Sequence, residues 1–228
     1  MAEKIASIII PALNEAESIG FVLSAIPLEW AHEILVVDGG STDGTVIIAE
    51  QAGARVIHEG RRGYSRACHS GLAAASGKVV VFLDADGADD PGHLPELLAP
   101  LIDGQADLVL GSRLAGKMDR GAMPWTQWLG NFLAALMFRW IYRLPITDLS
   151  PFRAGWRSKI LGLDLQEMTY GLPTEMIAKA ARRGWKIVEM PVSYHTRRGG
   201  KSKITGTWRG SVLASTLIFR LILRYARS

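Results

Sequence analysis

Lys78-Val-Val-Val-Phe-Leu-Asp-Ala-Asp86 is the stretch on which the reading of this chain turns. The five apolar residues 79–83 are costly to expose, which predicts a strand covered on both faces, as in the middle of a parallel sheet. The run stops at Asp84 and Asp86, two carboxylates separated by one small residue at the strand's C-terminal end. In open α/β sheets the crevice beyond those ends is where ligands bind. Two acids so close repel each other unless a cation lies between them. A hard divalent ion, Mg²⁺ or Mn²⁺, shared between carboxylates and substrate phosphates suits that position. The competing expectation is turn chemistry, because Asp-Gly and Asp-Asp-Pro also begin turns and helices. A calcium loop is excluded, since the segment from Asp84 to Asp90 lacks the required ligand spacing and the distal Glu.

Outward from this strand, apolar runs alternate with helix-patterned segments. Residues 5–10, 34–37, 55–57 and 108–110 read as further strands, and 18–26, 45–52, 64–75 and 95–102 as helices. That βαβα order predicts an α/β fold with a Rossmann-like, mostly parallel central sheet and helices on both faces. Beyond residue 115 the pattern changes. Residues 125–143 are apolar on nearly every helical face and are stopped by Pro145, while 147–153 reads as loop or turn. A helix over 175–183, strands at 186–189 and 192–195, a basic loop at 197–203 and a helix from about Trp208 complete the chain. In that last helix Arg209, Arg220, Arg224 and Arg227 fall within roughly a 60° sector. Such a stripe beside Leu, Ile and Phe fits an interfacial amphipathic helix, and equally a core helix with one solvated basic face.

With 228 residues and 48% hydrophobic content, one packed domain is expected. Cys68 is the only cysteine, so no internal disulfide forms, which fits a reducing compartment. The first ten residues lack the layout of a secretory leader, and the longest apolar segments are too short and too interrupted by arginine to span a bilayer. Charge is uneven: residues 182–228 carry +10, whereas residues 1–181 carry −6. An acidic first part suits metal binding, and a basic last part suits phosphate or an anionic membrane surface. Nucleic acid fits poorly, because the basic residues are not interleaved with any base-reading motif.

Four strand-end motifs together resemble glycosyltransferase family 2, whose nucleotide-binding fold is GT-A. They are Pro11-Ala-Leu-Asn-Glu15, Val36-Val-Asp38 with Ser41-Thr-Asp-Gly-Thr45, Asp84-Ala-Asp86, and Gly111-Ser-Arg113. A looser similarity, through Asp148-Leu-Ser-Pro-Phe-Arg153 and Arg198-Gly-Gly-Lys-Ser-Lys203, is to polyprenyl-phosphate sugar synthases of the dolichyl-phosphate mannosyltransferase type.

The resemblance implies a nucleotide-sugar-binding half, 1–115, and an acceptor-binding half, 116–228, with membrane-interface helices. It implies inverting transfer of a hexose from a UDP- or GDP-sugar to a polyprenyl phosphate, by an enzyme peripheral on the cytoplasmic face of the cell membrane. The donor would be held by Pro11, Asn14, Glu15, Asp38, Arg62, Gly63, Asp84, Asp86 and Arg113, with Mg²⁺ or Mn²⁺ on Asp84 and Asp86. Asp38 would read the base or serve as an Asx-turn residue, and Asp43 would stabilise its own loop. Arg113, leaving a buried strand, would meet the donor or form an ion pair with an acid. Arg198, Lys201, Ser202 and Lys203 would clamp phosphate. If the acceptor is instead a hydroxyl, a general base is required, and Asp148 and Glu175 are the candidates. Glu175 in Pro173-Thr174-Glu175 is also an ordinary helix first-turn acid.

Overall fold

The computed structural model describes residues 4–199 and 208–227, with the side chains of 208–213 and 227 outside the description. Lys201, Ser202 and Lys203 therefore lie outside the described residues. Seven strands form one sheet: β1 (Ala6–Ala12), β2 (Ala31–Asp38), β3 (Arg55–His58), β4 (Val79–Phe82), β5 (Leu108–Ser112), β6 (Arg153–Trp156) and β7 (Ile187–Pro191). Their order is β3-β2-β1-β4-β6-β5-β7. Only β6 runs antiparallel, against both β4 and β5. The expected mixed α/β sheet is thus present, with β4 near its middle.

Period-two alternation decides which helices each strand face meets. Ile9, Leu35, Val37, Val80, Phe82 and Leu110 point into a core shared with α3 (Tyr64–Ala74), α5 (Trp125–Ile141), α7 (Leu172–Arg182) and α8 (Trp208–Arg227). Their neighbours Ile8, Ile10, Val36, Val79, Val81 and Val109 point the other way, onto α1 (Ile19–Ser24), α2 (Thr45–Gln51) and α4 (Leu94–Ile102). Gly71 lets α3 lie directly on β1, since a Cβ there would fall 2.3 Å from Ile9 Cγ2.

Three segments depart from the sequence expectation. Residues 153–156 form strand β6, followed by α6 (Arg157–Gly162), where no strand or helix was expected. Four residues with Ala154 and Gly155 at their centre carry too little apolar pattern to announce a strand. Pro191 ends β7 instead of interrupting it, which is allowed because β7 is an edge strand paired only with β5. Residues 192–195 add no strand to the sheet; Tyr194 makes isolated bridges to Asp89 and Met118.

Helices α5 and α8 differ in how they meet solvent. α8 packs against α5 and α7, burying Leu221, Ile222 and Tyr225 while Arg220 and Arg224 stay exposed. Among its described side chains it is a core helix with a solvated basic side. α5 buries only Ala134, Ala135 and Phe138. Its outward face exposes Trp125 (74%), Trp128, Phe132, Leu133, Leu136 and Trp140 (77%). No helix among the described residues is long and apolar enough to cross a membrane.

Candidate active site

The rim of the sheet is built from strand-end loops stitched to one another. Asn14, at φ 50°, accepts the Thr42 amide at 2.8 Å, and its own N–H donates to Ser41 Oγ at 2.9 Å. The Glu15 amide donates to Thr45 Oγ1 at 2.8 Å. Asp43 accepts from the Ala16 and Thr45 amides, the loop-stabilising role its position suggested. Pro11 is half-buried at the end of β1. Buried Asp38 accepts from the Gly40 and Ser41 amides, each at 3.1 Å, with His58 Nδ1 3.6 Å away. It is an Asx-turn residue; Oδ2 also accepts the Ser41 amide at 3.3 Å, so Oδ1 is the oxygen that keeps a lone pair for a further donor. Arg62 is exposed; Gly63, at φ 145°, passes so near the Met168 carbonyl that a Cβ would meet it at 2.5 Å.

β4 delivers Asp84 and Asp86 into this rim. Asp84 Oδ1 is buried and has no hydrogen-bond partner among the described residues. The nearby Tyr64 hydroxyl favours the charged form of Asp84. Burial first, then the charge of Asp86, push the Asp84 carboxyl up to about 7. Asp86 Oδ1 accepts the Ala88 amide at 2.9 Å, and Oδ2 lies 3.5 Å from Arg197 Nη2. That same nitrogen is 2.8 Å from Glu15 Oε1, so Arg197 joins the β1 loop to the acid loop.

Gly111-Ser-Arg113 brings a guanidinium to the same edge, and it forms the ion pair with an acid. Arg113 donates through N, Nε and Nη2 to Asp148, at 2.8, 2.8 and 2.7 Å, and its guanidinium lies over the Tyr194 ring at 5.0 Å. Burial opposes the charge on Arg113, but Asp148 outweighs it and holds the guanidinium above its ordinary value. Asp148 is fully buried with both oxygens bound by Arg113, which leaves no oxygen uncommitted for the general-base role considered from sequence.

Glu175 is placed elsewhere. It is fully buried on α7, accepting the Gln166 and Glu167 amides, Tyr225 Oη at 2.6 Å and Lys179 Nζ at 2.8 Å. Burial raises its pKa, but those donors prevail and hold it below the ordinary value. The structure makes it a tie between α7 and α8, and among the described residues it makes no hydrogen bond or ion pair with the acid loop. Arg198 is exposed; its amide donates to the Asp86 carbonyl at 3.1 Å and its guanidinium covers the Phe21 ring at 3.3 Å.

The fold also gathers residues that sequence reasoning missed. Asp89 is 2% exposed, and its Oδ1 has no hydrogen-bond partner among the described residues. Arg153 is 1% exposed and, among the described residues, donates only to the carbonyls of Leu149, Ser150, Pro151 and Pro173; burial lowers its pKa to about 10. Tyr64 and Arg197, described above, complete the group. A Tyr opening a helix and an Arg beside Phe152 were visible letters, but their burial is a tertiary fact.

Sheet, strand-end acids and neighbouring guanidinium together define a nucleotide-binding transferase of the GT-A class. The family model for glycosyl transferase family 2 matches residues 7–161, and the chain belongs to that family. It is 41% identical over 224 residues to an uncharacterised glycosyltransferase of Mycobacterium tuberculosis, covering 97% of this chain and all of that one. It is 31% identical over 236 residues to the undecaprenyl-phosphate mannosyltransferase of Micrococcus luteus, covering 95% and 94% of the two chains. Among solved structures, glucosyl-3-phosphoglycerate synthase of M. tuberculosis, in complex with Mn²⁺, UDP-glucose and phosphoglyceric acid, superposes with a TM-score of 0.77 at 25% identity. That similarity covers 98% of this chain and 80% of the synthase.

Proposed function

We propose that this glycosyltransferase moves one hexose from a UDP- or GDP-sugar to a polyprenyl phosphate while attached peripherally to the cytoplasmic face of the cell membrane. The donor half rests on the acid pair. A buried carboxylate oxygen without a partner is costly, and a ligand that supplies the missing charge removes that cost. Among the described residues no three His, Cys, Asp or Glu side chains are grouped to hold a metal by themselves. Two carboxylates completed by diphosphate oxygens and water fit Mg²⁺ or Mn²⁺, which keep waters and bind substrate phosphates. Asp84 and Asp86 would hold the ion, which supplies charge neutralisation of the departing diphosphate. Asp38 accepts from the base, Glu15 from a ribose hydroxyl, and Arg62 and Gly63 border the nucleotide.

In the inverting step a phosphate oxygen of the acceptor forms the new bond to the anomeric carbon as the bond to the nucleoside diphosphate breaks. A phosphate monoester is largely anionic at pH 7, so no side chain has to take a proton. The committed state of Asp148 and Glu175 agrees with that. Arg198, Lys201, Ser202 and Lys203 would neutralise the acceptor phosphate.

The observation that carries the lipid reading is the outward face of α5. Three tryptophans and neighbouring leucines lie beside exposed Arg139 and Arg143, the aromatic and basic composition of a membrane-interface element. The Micrococcus relative's name points the same way. The synthase's phosphoglyceric acid supports a second reading, transfer to a small phosphorylated acceptor. The test supplies UDP-glucose or GDP-mannose with Mn²⁺ and offers undecaprenyl phosphate in anionic vesicles or 3-phosphoglycerate in solution. Product in the lipid fraction supports the proposal; product only in the soluble fraction refutes it.

A further inference from the structure

Asp89 is the buried acid that the proposed chemistry leaves unused. Its side chain makes no hydrogen bond among the described residues, although Oδ1 has essentially no contact with solvent. Burial pushes its carboxyl up, and the charge of Arg113 works against that. Arg113 in turn spends its N, Nε and Nη2 donors on Asp148, and its Nη1 makes no hydrogen bond among the described residues. Tyr194 fixes both groups: its backbone pairs with Asp89, and its ring lies under the Arg113 guanidinium. Asp86, on the same loop three residues before Asp89, is tied to that loop through the Ala88 amide. Tyr194 thus brings an unmatched acceptor, Asp89 Oδ1, and the Arg113 guanidinium to one place at the edge of the donor site.

We infer that Asp89 and Arg113 together hold one hydroxyl of the transferred hexose and so set which sugar the enzyme accepts. This rests on the nucleotide-sugar reading above. The pair of partners selects the ligand chemistry. Phosphate would suit Arg113 but be repelled by Asp89. A metal ion would suit Asp89 but be repelled by Arg113. A hydroxyl donates its proton to Asp89 Oδ1 and accepts from Arg113 Nη1, satisfying both. A site built to hydrogen-bond a hydroxyl discriminates strongly against a sugar that presents none there, because its own buried groups are then left unpaired.

The test measures binding of UDP, GDP, UDP-glucose, UDP-galactose and GDP-mannose, each with Mn²⁺, to wild type, Asp89→Asn and Asp89→Ala. Hydrogen bonds to charged groups contribute about 1.5–3 kcal/mol, so both variants should lose roughly 10- to 100-fold in affinity for the preferred nucleotide sugar. Affinity for the matching nucleoside diphosphate should stay within about twofold, and the gap between sugars should narrow. Equal loss for diphosphate and nucleotide sugar would make Asp89 a metal or structural residue and overturn the inference. Unchanged sugar ranking and affinity would overturn it too. The isosteric Asn variant guards against misfolding of the Ala variant. If wild type bound the diphosphates but no nucleotide sugar, the donor reading itself would fall, a distinguishable result.

Discussion

Two regions of this molecule bury carboxylates, and they treat them in opposite ways. On α7, Glu175 is surrounded by four donors, two amides, a phenol and an ammonium, and its pKa is held low. At the sheet rim, Asp84 and Asp89 each keep one buried oxygen without a partner, and burial pushes both upward. A buried acid that the protein satisfies by itself stabilises the fold. One that it leaves unsatisfied lowers stability in exchange for a site that a ligand completes. The difference separates structure from function where residue type cannot.

The sharpest way to break the comparison is to remove one acid from each region. Asp86→Ala should lower kcat/KM by on the order of 10³, since metal charge stabilisation contributes several kcal/mol to the transition state. Its melting temperature should hold or rise slightly, because Asp86 repels Asp84. Glu175→Ala should do the reverse. Removing one partner of a buried ion pair costs about 3–5 kcal/mol, roughly a 10 °C fall in melting temperature for a chain of this size. At a temperature where it remains folded, its kcat should stay close to wild type. Equal loss of activity in both variants would erase the distinction.

Legibility from sequence followed the same division. The rim was readable because short buried strands end in acids at fixed places: a run such as Val79-Val-Val-Phe-Leu83 has few alternatives, and the loop beyond it follows from topology. Asp89 was not readable, because in Asp89-Asp90-Pro91 it has the same letters as a turn, and Asp90 does cap the Gly92 amide. Glu175 remained undecided because a first-turn acid looks alike whether it serves a helix or a reaction. Tyr225, fifty residues away, decides it. Strand β6 escaped notice because its pairing, not its composition, makes it a strand. An apolar helix such as α5 carries no periodicity to say which side faces out, and only the contact with α8 reveals it.

pH sharpens the contrast, with opposite signs in the two regions. Glu175 has a lowered folded pKa, so its stabilisation is present above its unfolded value of about 4.5 and is lost as pH falls through the folded value. Asp84 has a raised one. Between its unfolded value of 3.8 and about 7 the folded protein holds a proton that the unfolded chain releases, so its contribution to stability declines as pH rises through that window. Metal must displace that proton. Mn²⁺ affinity without nucleotide, measured by calorimetry, should therefore climb about tenfold per pH unit below 7 and flatten above it. A flat profile from pH 5.5 to 8 would place the ion away from Asp84.

The smallest expected effect concerns Tyr64, whose hydroxyl, with the charges of Arg113 and Arg197, favours the charged form of Asp84. Its hydroxyl favours the charged carboxylate, whose Oδ1 has no hydrogen bond among the described residues. Tyr64→Phe removes that donor with little change in volume, so the packing of α3 should hold and the melting temperature should move by only a degree or two. The charged form of Asp84 would then lose the hydroxyl that favours it. The midpoint of the Mn²⁺ pH profile should move upward by roughly one unit, since one charged hydrogen bond corresponds to about 1.4 kcal/mol. At pH 8 the variant should bind metal within a few-fold of wild type, and at pH 6.5 about tenfold more weakly. A purely structural Tyr64 would weaken binding equally at both pH values. A shift confined to the acid side would identify the phenol as the group that keeps Asp84 ready for its cation.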